Sequence, residues 1–229
     1  MSKSDLRFAV VASTSGSVMN QVLGNEFFRN RVHSVIVDRY CGAVDKARSH
    51  GVHTELLIEN DNDLFCRRLL YYLTAHDIDY VFSYYTKFYT KWLRDAFQDR
   101  IINFHPSLLP AFKGIDGFGD TVAYHARFVG NTVEFIDQAM DEGKIIMQTA
   151  CPLDTTVSLK VVRHRLFVQQ CQALLQVAKW VTDNRIIVHG RCVTVNNAAF
   201  DSSDFSPALD FEDARHFSVQ VPELEVVQQ

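Results

Sequence analysis

The sequence predicts an α/β fold: an open, mostly parallel twisted sheet with helices on both faces, then a C-terminal part with antiparallel strands and a long helix. Three observations carry this reading. Short β-branched and aromatic runs alternate with helix-length patterns through the first half of the chain. That alternation requires crossover connections, which are right-handed and make neighbouring strands parallel. After His105 the pattern gives way to a Pro/Gly-rich loop, two longer strands and one long helical stretch.

Phe8 to Ala12 reads as a buried strand, and the small-residue turn Ser13-Thr14-Ser15-Gly16-Ser17 follows it. A helix is expected from about Val18 to Phe28, with Met19, Val22 and Leu23 on one face. Ser34 to Asp38 is a second strand, and Gly42 to His50 a short helix stopped by Gly51. His53 to Ile58, Tyr80 to Ser83 and Ile101 to Phe104 supply further strands, separated by helices over Asp61 to His76 and Lys91 to Phe97. Pro106 to Gly119 is rich in turn residues and reads as a long functional loop. Strands over Thr132 to Asp137 and Lys144 to Leu153 bracket the turn Met140-Asp141-Glu142-Gly143. Asp154-Thr155-Thr156 can cap a helix from Val157 to Thr182, and a hairpin around Gly190 closes a domain of residues 1–200. Residues 201–229 hold seven Asp/Glu against one Arg and read as an acidic tail that packs loosely or extends from the body.

Composition narrows the function classes. The net charge of −4, the pI near 6.1 and the lack of any Lys/Arg run give no footprint for nucleic acid. Five cysteines, odd in number and never spaced as C-x-x-C, fit neither a disulfide framework nor a zinc site, and no metal is expected. The N-terminus carries no cleavage-site pattern, and no apolar run approaches the ~18 residues of a membrane span. The expectation is a cytoplasmic protein, monomer or homodimer, whose partners are small molecules.

Two features fall where a parallel sheet binds ligands, at the carboxyl ends of its strands. In the turn Ser15-Gly16-Ser17, backbone N–H groups can cradle a phosphate, although such turns also serve as plain tight connections. The second is Asn103-x-His105 at a strand end, where alternation puts both side chains on one face. A carboxamide and an imidazole side by side can both donate to a developing oxyanion, and the imidazole can move a proton near neutral pH. The same pair could equally be a strand end whose His caps a loop. Asp141, taken alone, is an ordinary turn residue.

The full run from Ile102 through Asn103-Phe104-His105-Pro106-Ser107-Leu108-Leu109-Pro110 to Gly114 resembles the signature of the folate-dependent formyltransferases, in layout closest to the glycinamide ribonucleotide transformylases of purine synthesis. Val133 to Asp137 and Ile145-Ile146-x-Gln148 also resemble that family, over about residues 7 to 199. The resemblance implies a Rossmann-like formyltransferase fold. It implies that Asn103, His105 and Asp141 are catalytic, and that Phe88, Tyr89, Ile102, Phe104, Met140 and Gly143 hold the co-substrate N10-formyltetrahydrofolate. Ser15, Gly16, Ser17 and Gln170 would meet the acceptor, and Leu109-Pro110 would be a cis bond. Ser107 is expected to bond its own loop.

The chain also departs from the family's pattern. The phosphate turn continues with Val18 where the family has Asn, a family Glu of the long helix is replaced by Gln170, and a family His by Glu134. The folate segment reads Tyr84-Tyr85-Thr86-Lys87-Phe88-Tyr89 where the family is small and apolar, and the loop Gly114 to Asp120 is unlike the transformylase form. Most of these changes lie on the acceptor side. The expected reaction is therefore formyl transfer to the amine of a small metabolite, an amino sugar or amino acid derivative. A divergent phosphoribosylglycinamide formyltransferase and a catalytically silent folate-binding or regulatory protein are the alternatives.

Overall fold

The computed structural model describes residues 6–220, so Met1 to Asp5 and the last nine residues of the acidic stretch lie outside it. The chain divides into two compact units. Residues 1–103 with 135–144 form the first, and residues 104–134 with 145–229 the second.

The first unit is the parallel α/β part. Its strands are β1 (Phe8–Ala12), β2 (Val32–Val37), β3 (His53–Leu56), β4 (Tyr80–Tyr84) and β5 (Ile101–His105), whose last two residues begin the second unit. They lie in the order β3-β2-β1-β4-β5 with every pairing parallel. The central strand β1 is buried at all five residues, as a strand covered on both faces must be. The expected first helix is split into α1 (Ser17–Val22) and α2 (Glu26–Arg29). Gly24 and Asn25 make the break, and the Asn25 side chain accepts from Phe28 N to start α2. The other helices are α3 (Gly42–Ser49), α4 (Asn62–Ala75), capped by Asp61 on Leu64 N, and α5 (Lys91–Ala96). Leu69, Leu73, Val81, Leu93 and Ile101 pack with α4 and α5 into one apolar cluster that fixes the level at which β5 ends.

The second unit holds α6 (Gly117–Ala123), β6 (Phe128–Phe135), β7 (Lys144–Pro152), α7 (Leu159–Thr182), the hairpin β8 (Ile186–His189) and β9 (Cys192–Val195), β10 (Phe205–Ser206) and α8 (Glu212–Arg215). β10 pairs antiparallel with β7, and β8 with β9. The antiparallel strands and long helix follow the expectation. Two features do not. α6 begins inside the stretch read as pure loop, because Asp116 caps it by accepting from Gly119 N. The acidic stretch is also not loose between Asp204 and Phe217. Asp210 accepts from Gln176 Nε2 at 2.7 Å and Trp180 Nε1 at 3.1 Å, both on α7, and pairs with Arg185 at 2.7 Å, which docks this part of the stretch. No helix among the described residues is long and apolar enough to cross a membrane.

Candidate functional site

Asn103 and His105 stand two residues apart at the end of β5, and strand alternation gives them one face. His105 is 4% exposed, and its Nε2 lies 3.0 Å from the Phe112 carbonyl, to which it donates. The loop that carries Phe112 folds back over the imidazole at Gly117, where a Cβ would come within 2.8 Å of His105 Nε2 and 2.9 Å of the Phe112 oxygen. Glycine is required there by close approach rather than by backbone angle.

The loop after His105 is fixed at each step. Ser107 is fully buried and donates to the carbonyls of Ala111 and Phe112, so it serves its own loop as expected. Leu109-Pro110 is cis. The Leu109 N–H donates to Thr132 Oγ1, which itself donates to the Ser107 carbonyl, while Gln148 Nε2 donates to the Leu109 carbonyl. Thr132 on β6 and Gln148 on β7 therefore staple the signature loop. The sequence offered Gln148 only as part of a motif and gave Thr132 no role at all.

Asp141 sits in the first unit, as does Asn103. Its φ of 55° is left-handed, a conformation that Asp tolerates better than most residues and that collects at functional turns. Three anchors hold the segment around it. Ile136 N donates to the Ile101 carbonyl of β5 at 2.9 Å, Arg94 donates to the Gln138 carbonyl at 3.2 Å, and Lys144 pairs with Asp99 at 2.7 Å. Arg94 also donates to the Tyr89 carbonyl and lies 4.2 Å over the Phe88 ring. One guanidinium thus ties the 88–89 segment to the loop leading into Asp141, a role no sequence signal indicated.

The residues expected to hold the folate are used unequally. Phe88 is half-buried and Met140 is 45% exposed, so both present side-chain surface. Tyr89 is 1% exposed, its hydroxyl bonded to Ser83 and its ring stacked on Tyr85, whose own hydroxyl donates to Asn62. Burial pushes both phenols upward, so they stay neutral. Ile102 and Phe104, at 0% and 6% exposure, alternate away from Asn103 and His105. The side chains of Tyr89, Ile102 and Phe104 belong to the core, so among the residues expected to hold the folate it is Phe88 and Met140 that present side-chain surface. Gly143 lies two residues beyond Asp141 in the same segment.

In the turn expected to meet the acceptor, Gly16 has a left-handed φ of 64°, and a Cβ there would lie 2.8 Å from that of Ala43 on α3. The Ser15 and Ser17 hydroxyls are 3.1 Å apart. Gln170 is half-buried on α7 in the second unit, and Glu134 is 2% exposed on β6. Among the described residues no group of three or more His, Cys, Asp or Glu is placed to hold a metal ion.

Comparison with known proteins gives a consistent picture. A family model described as formyl transferase matches residues 6–178. Phosphoribosylglycinamide formyltransferase of Mycobacterium tuberculosis is 29% identical over 195 residues, covering 82% of this chain and 91% of its own. The Bacillus subtilis protein of the same name is 34% identical over 103 residues, 44% of this chain and 53% of its own. Among solved structures, glycinamide ribonucleotide transformylase 1 from Symbiobacterium toebii superposes with a TM-score of 0.79 at 27% identity, covering 84% of this chain and 95% of that one. A formyltetrahydrofolate deformylase from Pseudomonas syringae, at 16% identity and a TM-score of 0.74, shares the fold.

Proposed function

The chain belongs to the formyl transferase family, and from that premise we propose that it moves the formyl group of N10-formyltetrahydrofolate onto the primary amine of a small metabolite. The observation that carries this reading is the set of acyl-transfer groups on rigid supports. Asn103 and His105 share one strand face, and Asp141 occupies a left-handed loop anchored at both ends.

The chemistry asks little more of the protein. The neutral amine attacks the formyl carbon, the carbonyl electron pair moves to oxygen, and a tetrahedral intermediate forms. The Asn103 amide and the imidazolium of His105 donate to that oxygen. Because Nε2–H is engaged by the Phe112 carbonyl, the proton that His105 exchanges during turnover is the one on Nδ1. Asp141 passes the amine proton, by way of water, to the folate nitrogen. The C–N10 bond then breaks with its electron pair on nitrogen, giving tetrahydrofolate and a formamide.

The names of the relatives favour phosphoribosylglycinamide as the first acceptor to test, ahead of amino sugars or amino acid derivatives. Tetrahydrofolate release is followed with N10-formyltetrahydrofolate alone, and then with phosphoribosylglycinamide or other amines. Release that requires an amine supports transfer, and release as formate without any amine supports hydrolysis instead. Folate binding without release under any condition would return the protein to a binding or regulatory role.

A further inference from the structure

We propose that the cleft between the end of α6 and the start of α7 is a docking site for this chain's own residues 221–229, the stretch that follows the last described residue. Every element involved belongs to the second unit. The cleft has a volume of about 530 Å³ and an apolar lining of Val122, Leu153, Val157 and Leu159, with His125 and Arg127 among its polar groups. Leu159 is 48% exposed, although most other apolar residues of α7 are buried.

The described chain heads for this cleft. Asp210 is held by Gln176 and Trp180 of α7, the Phe217 carbonyl accepts from Gln172 Nε2 at 3.3 Å, and the Val219 carbonyl lies 3.3 Å from His164 Nε2. Each contact lies nearer the start of α7 than the one before it. Leu159 is about 8 Å along the helix axis from His164, and nine extended residues span up to about 30 Å. The segment's composition suits the cleft. Pro222, Leu224 and Val226 alternate with Glu223 and Glu225, so laid down extended it offers one apolar row and two carboxylates. Those carboxylates complement His125 and Arg127 on the cleft and Lys160 in the first turn of α7, a turn with no acidic residue of its own. The carboxylate that does line the cleft, Asp154, accepts from Thr156 N and Oγ1 at 2.8 and 2.6 Å and is spent locally.

The test is hydrogen–deuterium exchange on the full-length chain, read at residues 122–127 and 153–160, at high and at low protein concentration. Wild type is compared with Leu224→Asp and with the double variant Glu223→Lys/Glu225→Lys. The expected result is exchange about tenfold faster at both segments in Leu224→Asp, with the hairpin of β8 and β9 unmoved. The charge-reversed variant should also exchange faster, and its gap from wild type should narrow at high salt. A synthetic peptide of residues 219–229 should restore protection to Leu224→Asp and leave wild type unchanged. Equal protection in wild type and Leu224→Asp overturns the proposal, as does a loss that spreads to the hairpin. Wild-type protection that disappears on dilution assigns the cleft to a second copy of the chain and overturns docking within one chain.

Discussion

Asn103 and Asp141 are the residues whose replacement isolates chemistry from structure. In the proposed mechanism Asn103→Ala removes one oxyanion donor, so its kcat should fall by about 10²–10³-fold with little change in the folate KM. Asp141→Asn keeps the volume and the tolerance for a left-handed φ while removing the carboxylate that passes the proton in the proposed mechanism, so its loss should also appear in kcat. Gly117 gives a sharper prediction because nothing about it is chemical. Gly117→Ala forces a methyl against His105 Nε2 and the Phe112 carbonyl, so it should destabilise the fold by about 1–3 kcal/mol and lower kcat, read by urea unfolding and steady-state rates. The pair Asn103 and His105 was legible in the sequence because a period of two puts both on one face. Gly117 was not, because what requires it is the His105 ring, twelve residues earlier and brought close by a loop whose path no local rule sets.

At the scale of elements, the parallel strands, their order of appearance and the long helix followed from hydrophobic runs and turn signals. Two departures have local causes. Asn25 accepts from Phe28 N and restarts a helix that the apolar pattern alone carried through, and Asp116 does the same for α6 within a Gly-rich loop. The anchoring of the Asp141 segment was invisible because Arg94 is far from it in sequence and bonds to carbonyls, which leave no residue signature. Arg94→Ala should therefore raise the folate KM several-fold and lower kcat, with a stability cost of about 1–3 kcal/mol in thermal or urea unfolding.

The docking of Asp204 to Phe217 escaped composition for a related reason: seven acidic residues read as solvated until Gln176, Trp180 and Arg185 are known to face one of them. Burial raises the Asp210 carboxyl pKa, but hydrogen bonds from Arg185, Trp180 and Gln176 outweigh it and hold the group below the usual carboxylate range. With the folded value depressed, its contribution is complete above the unfolded value and is lost as pH falls through the folded one. Asp210→Asn should accordingly flatten the loss of stability in that acid window, measured by unfolding at stepped pH.

For the molecule as a whole, stability and chemistry draw on different groups. His33, on β2, has its pKa lowered by burial and then by the nearby charges of Arg7, His76 and His53. Arg7 donates to its Nδ1 at 2.7 Å, which requires the neutral ring. A depressed histidine leaves stability intact above the unfolded value of 6.5 and erodes it as pH falls below that point, since the unfolded chain then binds more protons. The drop in thermal stability between neutral pH and about pH 5 should shrink in His33→Gln, which keeps an acceptor for Arg7 and cannot charge. Formyl transfer is the central claim, and the fate of the formyl carbon tests it most directly. Wild type, His105→Ala and Asp141→Asn are each given N10-formyltetrahydrofolate labelled with ¹³C in the formyl group, together with phosphoribosylglycinamide, and the label is followed by NMR. The account predicts label in a formamide of the acceptor with wild type and almost none with either variant; label that stays on folate or appears as formate, or that reaches the amine equally well in all three proteins, would contradict it.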